Sequence, residues 1–206
     1  MFKTFIPISM SPMGLTRNSR AVSGASNPDV RRIIGIDPGL ASTGWGVLEF
    51  SCGRLRHIAH GCIETGAGEN RGERLLLIYK SFLEILKTYD PSEAAMENLY
   101  FGKNTSSAMN VAEARGVLLL ALAAQGLAIR ELTPHAIKKA VVGVSRAEKK
   151  QIQEMVRLIL GLKEIPKPDH ASDALGAAIC AAHSGSLAHS GSLAHSGSLA
   201  YSGSLA

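Results

Sequence analysis

Between residues 32 and 64 three short apolar stretches bounded by turn residues precede the first stretch with apolar side chains at helical spacing, Asn70–Tyr89. Three strands before the first helix disfavour a doubly wound nucleotide fold, whose strands and helices alternate from the start. Arg32–Asp37 reads as a short strand that stops at Pro38–Gly39. Thr43–Phe50 and Arg54–Glu64 read as two more, joined at Ser51–Cys52–Gly53, whose glycine suits a hairpin turn. Asn70–Tyr89 then places Leu75, Ile78, Phe82, Ile85 and Tyr89 at helical spacing and is stopped by Asp90–Pro91. Ala94–Leu99 is a fourth strand. Thr105–Gln125 predicts a long helix, apolar nearly all round in its second half and closed by Gly126. Such a helix is expected to be buried on several sides, in the core or against a partner. Leu127–Leu132 is a fifth strand, and Thr133–Pro134 opens a short helix with proline at its first position. Ser145–Arg146–Ala147–Glu148 reads as a capping box for a helix to Leu160, and Pro168–Asp169 opens a last, alanine-rich helix to about Ala182. The order β-β-β-α-β-α-β-α-α-α predicts an α/β fold, a mixed β-sheet of about five strands flanked by helices.

The two ends differ from this middle. Residues 1–31 carry four basic side chains against Asp29 alone, with no apolar run after Lys3 of the kind a secretory signal needs, and are expected to be a flexible leader. Residues 184–206 fall in a six-residue repeat, HSGSLA from His183, His189 and His195 and YSGSLA from Tyr201. One leucine per six residues cannot build a core, so a disordered tail is expected. That leaves 32–183 as the folded domain. Hydrophobic residues at 46% supply a core, and a net charge of +5 permits a nucleic-acid partner without requiring one. The longest apolar run, Val117–Ala124, is far short of the ~20 residues that span a bilayer, so no membrane segment is expected. Cys52, Cys62 and Cys180 form neither a disulfide framework nor a CxxC pair, which points to a reducing compartment, the cytoplasm, and to no structural zinc.

Chemistry is expected where charge interrupts these apolar elements. Asp37 ends a strand containing Ile33, Ile34 and Ile36; an acid there either caps the Asp-Pro-Gly turn or binds a cation that offsets its desolvation. Glu97 stands at the end of Ala94–Leu99, a solvent-facing edge position or a second ligand. In Asp169–His170–Ala171–Ser172–Asp173, His170 and Asp173 share a helix face, as do Asp169 and Asp173. Asp169 reads more simply as the N-cap. Asp173 precedes the apolar run Ala174–Ile179, so its carboxylate needs a partner. Oxygen ligands with at most one imidazole suit Mg²⁺ or Mn²⁺ rather than zinc. Between residues 138 and 157, Lys138, Lys139, Arg146, Lys149, Lys150 and Arg157 outnumber Glu148 and Glu154, whereas acids slightly outnumber bases in the rest of the domain. A solvated helix face would explain this; proximity to an acidic site favours phosphate contacts.

Four segments taken together, IIGIDPGLASTGWGVLEF, AAMENLYFGKNTSSAMNVAEARG, HAIKKAVVGVSRAEKKQIQEMV and DHASDALGAAICAAH, resemble the RuvC family of crossover junction endodeoxyribonucleases. The first alone is weak, because related ATPase folds open on a similar turn; four in order, from about Ile33 to His183, are specific. The resemblance implies an RNase H-like fold, a homodimer, and Mg²⁺-dependent nicking of four-way DNA junctions, with two ions per site and Mn²⁺ as a substitute. By motif, Asp37, Glu97 and Asp173 take the acidic metal-ligand positions, and His170 falls where many members carry a fourth acid. Lys138 and Lys149 match basic positions associated with DNA contact and catalysis. Tyr100 matches an aromatic position implicated in stacking on junction bases. The RuvA–RuvB branch-migration complex is the implied partner.

Two cations about 3.5–4 Å apart can activate a water and stabilise the leaving 3′ oxygen during in-line attack on a phosphodiester. Asp37 is the best placed to bridge both, being on a central strand, with Glu97 and Asp173 completing the shells. His170 would ligate one ion or orient the water, and Lys149 would offset charge on the pentacovalent phosphate. Three other readings compete. An actin- or sugar-kinase-type ATPase needs a second nucleotide-clasping domain that about 150 folded residues cannot supply. A nuclease acting on RNA–DNA hybrids or other branched DNA is separated by substrate tests. A non-catalytic junction-binding module would be expected to have lost one of the three acids.

Overall fold

A computed structural model describes residues 30–98, 105–144 and 146–185, with the backbone alone at 105–107. The first three strands, β1 (Arg31–Asp37), β2 (Ser42–Ser51) and β3 (Arg54–Glu64), form an antiparallel meander. The β2–β3 turn is tight because Cys52 and Gly53 both take positive φ, 49° and 74°, the geometry that matches strand twist in a two-residue hairpin. Helix α1 (Arg71–Tyr89) starts at Asn70, whose side chain accepts from the Gly72 N–H, and ends at Asp90 in the left-handed region. It crosses over to β4 (Glu93–Glu97), which pairs parallel to β1. Helix α2 (Thr105–Ala124) leads to β5 (Ile129–Leu132), parallel to β4. The sheet order is β3-β2-β1-β4-β5. Helices α3 (Pro134–Val142), α4 (Lys149–Ile159) and α5 (Asp169–His183) complete the chain.

Two apolar layers hold the sheet between helices. On one face Ile34, Ile36 and Val47 pack with Ile78 and Phe82 of α1 and Leu118 and Leu122 of α2. On the other Ile33, Leu48 and Ala95 pack with Ile137, Val156, Leu175 and Ile179 of α3, α4 and α5. Helix α5 is buried over nearly its whole length, from Ala174 to Ala182. It can sit that close because a Cβ at Gly35 would lie 1.9 Å from the Ala174 carbonyl oxygen, and one at Gly44 would lie 2.0 Å from that of His170. The backbone of α5 therefore rests directly on β1 and β2.

Some boundaries differ from those expected. Arg31, assigned to the leader, pairs with Phe50 in β1. Its guanidinium meets Glu93 at 2.6 Å and the carbonyls of Ala181, Ala182 and Gly185, so Ser184 and Gly185 also contribute contacts. Helix α4 begins at Lys149, not near Ser145, because the chain after Gly143 is spent burying Ala147, and Glu148 becomes the N-cap with its N–H donating to Gln151 Oε1. Asp169 is the first residue of α5 rather than its cap, a place taken by Pro168. Helix α2 buries Ala114, Leu118, Ala121 and Leu122 but leaves Met109 and Leu120 about 60% exposed, so one face of it is open. Residues 1–29 and 186–206, most of the expected leader and tail, lie outside the described residues. No helix among the described residues is long and apolar enough to cross a membrane.

Candidate active site

Parallel pairing of β1 and β4 in the register Ile36↔Met96 brings the strand ends together, so Asp37 and Glu97 emerge side by side. Helix α5 lies over the same end and adds His170 and Asp173, one turn apart. Two of the acids, Glu97 and Asp173, are shifted by the charge of Asp37. Burial raises the pKa of Glu97, and the charges of Asp37 and Asp173 raise it further, against Lys138. Asp173 is likewise raised by burial first and by Asp37 second, with Lys149 opposing. Carboxylates raised in pKa by burial and by a neighbouring negative charge favour a cation beside them.

Two basic side chains already stand against these acids. His170 Nδ1 lies 2.6 Å from Asp37 Oδ2, and that hydrogen bond, outweighing desolvation, raises the imidazole pKa. A carboxylate only accepts, so Nδ1 carries a proton, and in the neutral ring Nε2 is the atom with a lone pair for a metal ion or a water. Lys149 Nζ lies 3.1 Å from Asp169 and 3.4 Å from Asp173. Burial lowers the pKa of Lys149, but the two carboxylates outweigh it and the net shift is upward. Asp169 itself is lowered, by Lys149 first and by Gln153 second. So Asp169 turns towards α4 while His170 turns towards Asp37, although the two are neighbours in sequence.

A cleft of about 240 Å³ opens beside the acids, lined by Glu97 and Asp173, by Lys138 and Lys149, and by the apolar Ile137 and Ile152. Four of the sequence candidates thus share one cleft; Asp37 and His170, hydrogen-bonded to each other, do not line it but act on its acids through their charge. Tyr100 lies outside the described residues. Sequence reasoning assigned no role to Gly35 and Gly44, yet they set how closely α5 approaches; the available signal was glycine within otherwise strong strands. Among the described residues no three His, Cys, Asp or Glu side chains form a ready-made metal cage. Mg²⁺ does not need one, since it keeps several waters and is held by one or two carboxylates together with substrate phosphate. The all-oxygen acids with one imidazole fit such an ion by charge and donor type.

The family described as "Crossover junction endodeoxyribonuclease RuvC" matches residues 33–181. A protein of that name from Treponema denticola is 55% identical over 155 residues, which cover 75% of this chain and 87% of the relative. One from Chloroflexus aurantiacus is 51% identical over 153 residues, 74% of this chain and 93% of the relative. Among solved structures, T. thermophilus RuvC in complex with a Holliday junction substrate superposes with a TM-score of 0.70 at 33% identity, covering 74% of this chain and 93% of that one. The mixed five-stranded sheet flanked by helices is the RNase H-like arrangement. By sequence profile, by close relatives and by fold, this chain belongs to the RuvC family of crossover junction endodeoxyribonucleases.

Proposed function

We propose that this protein resolves four-way DNA (Holliday) junctions by paired, metal-dependent hydrolysis of phosphodiesters during recombination and repair. The observation that carries the reading is the gathering of Glu97 and Asp173, both raised in pKa by burial and by the charge of Asp37, in one cleft lined also by Lys138 and Lys149. Asp37, Glu97, Asp173 and His170 would hold two Mg²⁺ ions, with Mn²⁺ as a substitute. When bound, such ions lower the pKa of an attacking water and neutralise charge on the leaving oxygen. Lys138 and Lys149 bind the flanking phosphates and fix the register of the strand. Lys149 exchanges its contacts with Asp169 and Asp173 for phosphate when DNA enters. Asp37 holds the ring of His170 in one orientation through Nδ1. Ile137 and Ile152 form an apolar lining that limits water beside the acids. Tyr100 stacks on an unpaired junction base.

Two nicks on one junction require two sites, and the protein acts as a homodimer through the open face of α2. Met109, Gly116 and Leu120 recur there at helical spacing, Met109 and Leu120 exposed and Gly116 with no atom near its Cβ position. A stripe of large apolar side chains around a glycine lets two helices approach closely. It works in the cytoplasm, with the RuvA–RuvB branch-migration complex as its partner. Cleavage of labelled four-way junctions, linear duplex and RNA–DNA hybrid, each with and without Mg²⁺ or Mn²⁺, tests the reading. Symmetric nicks in the junction alone, only with the ion, are expected. Equal cleavage of hybrid would reassign the substrate, and binding without cleavage would leave a junction-binding module.

A further inference from the structure

Glu97 is the last residue of β4, and the β1–β4 ladder ends one pair earlier, at Ile36↔Met96. On the β5 side the last tie is the Asn98 N–H, which donates to the Leu132 carbonyl at 2.7 Å. The Glu97 carbonyl is instead taken by Arg115, from the middle of α2, whose Nη1–H donates to it at 2.9 Å. The same guanidinium places Nη2 2.9 Å from Glu131 Oε2 on β5, and the Arg115 side chain is only 12% exposed. One planar fork therefore spans α2, the end of β4 and β5. A lysine cannot reproduce it, since a single ammonium has neither the fixed separation nor the plane of the two donors.

We infer that Arg115 is a positioning residue for cleavage: it pins the Glu97 peptide through its carbonyl and so fixes where the Glu97 carboxylate stands in the cleft. A charge-assisted hydrogen bond to a strand-end carbonyl restrains the one end of this peptide that the ladder leaves free, its N–H being tied to Leu132. Because Arg115 adjoins Gly116 on the open face of α2, any shift of that helix reaches Glu97 through this bond. The inference rests on the proposal that Glu97 belongs to the active site.

Four variants test it: Arg115→Met, Arg115→Lys, Glu131→Gln and Glu97→Gln. Each is measured for single-turnover junction cleavage at saturating enzyme, junction Kd without divalent ion, and hydrogen exchange at the Asn98 amide. Displacement of a reacting group by about an ångström costs on the order of 100-fold in rate. Arg115→Met is expected to slow cleavage about 10- to 100-fold with Kd within about threefold, and to speed exchange at Asn98. Arg115→Lys should recover part of the rate, and serves as the measurement if the Met variant does not fold. Glu131→Gln leaves the bond to Glu97 in place and should change the rate less than about threefold. Cleavage within twofold of wild type in Arg115→Met, or equal losses in Arg115→Met and Glu131→Gln, overturns the inference. If Glu97→Gln cleaves normally, the site assignment itself fails, a separate outcome.

Discussion

A single methyl group at Gly44 is expected to disable the site while leaving most of the protein intact. In Gly44→Ala the new Cβ would lie 2.0 Å from the carbonyl oxygen of His170, 2.3 Å from its carbonyl carbon and 2.8 Å from its Cβ, where ordinary contact begins near 3.4 Å. The obstruction is backbone, so no rotamer change relieves it. β2 cannot yield easily, since Gly44 is paired on both sides, with Asp37 and with Cys62. The first turn of α5 must therefore rise by more than an ångström, taking His170 and Asp173 with it. A 2.6 Å contact from His170 to Asp37 does not survive such a shift. Overpacking of this kind costs about 1–3 kcal/mol, a fall in Tm of roughly 2–12 °C for a domain of this size. The rate loss is larger, on the order of 100-fold for a misplacement of that length. Gly46→Ala is the comparator, because there the nearest atoms belong to the flexible Leu175 side chain, at 2.6 Å. It should lose stability with a much smaller loss of rate. Single-turnover cleavage of a labelled four-way junction, with melting curves for both variants, decides the matter. A Gly44→Ala enzyme that melts lower but cleaves within twofold of wild type would refute the link between α5 seating and the site.

Other expected outcomes concern charge, pH and assembly. Lys138→Ala should weaken junction binding and reduce the slope of log K against log salt by ~0.9, one phosphate contact; an unchanged slope would make Lys138 a solvated side chain. Burial first, and the adjacent His60 second, hold His57 down to about 4, and burial also lowers His60. His57 stays neutral in the folded chain while the unfolded chain takes up a proton near 6.5, so its stabilisation is whole above that pH and is lost as pH falls towards 4. Discounted for their partial exposure, His57 contributes about 1–2 kcal/mol; urea unfolding at pH 7.5 and 5 should show a shallower pH dependence in His57→Gln, and an identical one would remove the pair as its source. Leu120→Glu should shift the sedimentation mass from dimer to monomer, and a variant that stays dimeric would move the interface off α2.

What could be read from the sequence followed from how local its physics was. The three-strand meander showed as short apolar runs between turn residues, because β1 and β2 are buried on both faces, and α1 showed in periodicity because it buries a stripe. The start of α4 does not follow from its letters: Ser145–Glu148 reads as a capping box, whereas burial of Ala147 decides where the helix begins. Asp37, Glu97 and Asp173 were legible as acids where apolar elements end, an arrangement that costs free energy unless something offsets it. The division of labour at the start of α5 was not legible. Asp169 and His170 are adjacent in sequence, and only the placement of α4 and β1 sends one to Lys149 and the other to Asp37. Nor was the role of Arg115, whose partners Glu97 and Glu131 meet it only through the packing of α2 across the sheet.

The central claim is that Asp37, with Glu97 and Asp173 of the adjoining cleft, performs metal-dependent cleavage of junction DNA, and Asp37→Asn tests it most directly. Junction binding and Mg²⁺-dependent cleavage are measured on the same preparation, with the melting temperature as a control for folding. Loss of a negative ligand beside the phosphate should abolish cleavage while binding is kept or tightened. Cleavage at near wild-type rate by a folded Asp37→Asn protein would contradict the account.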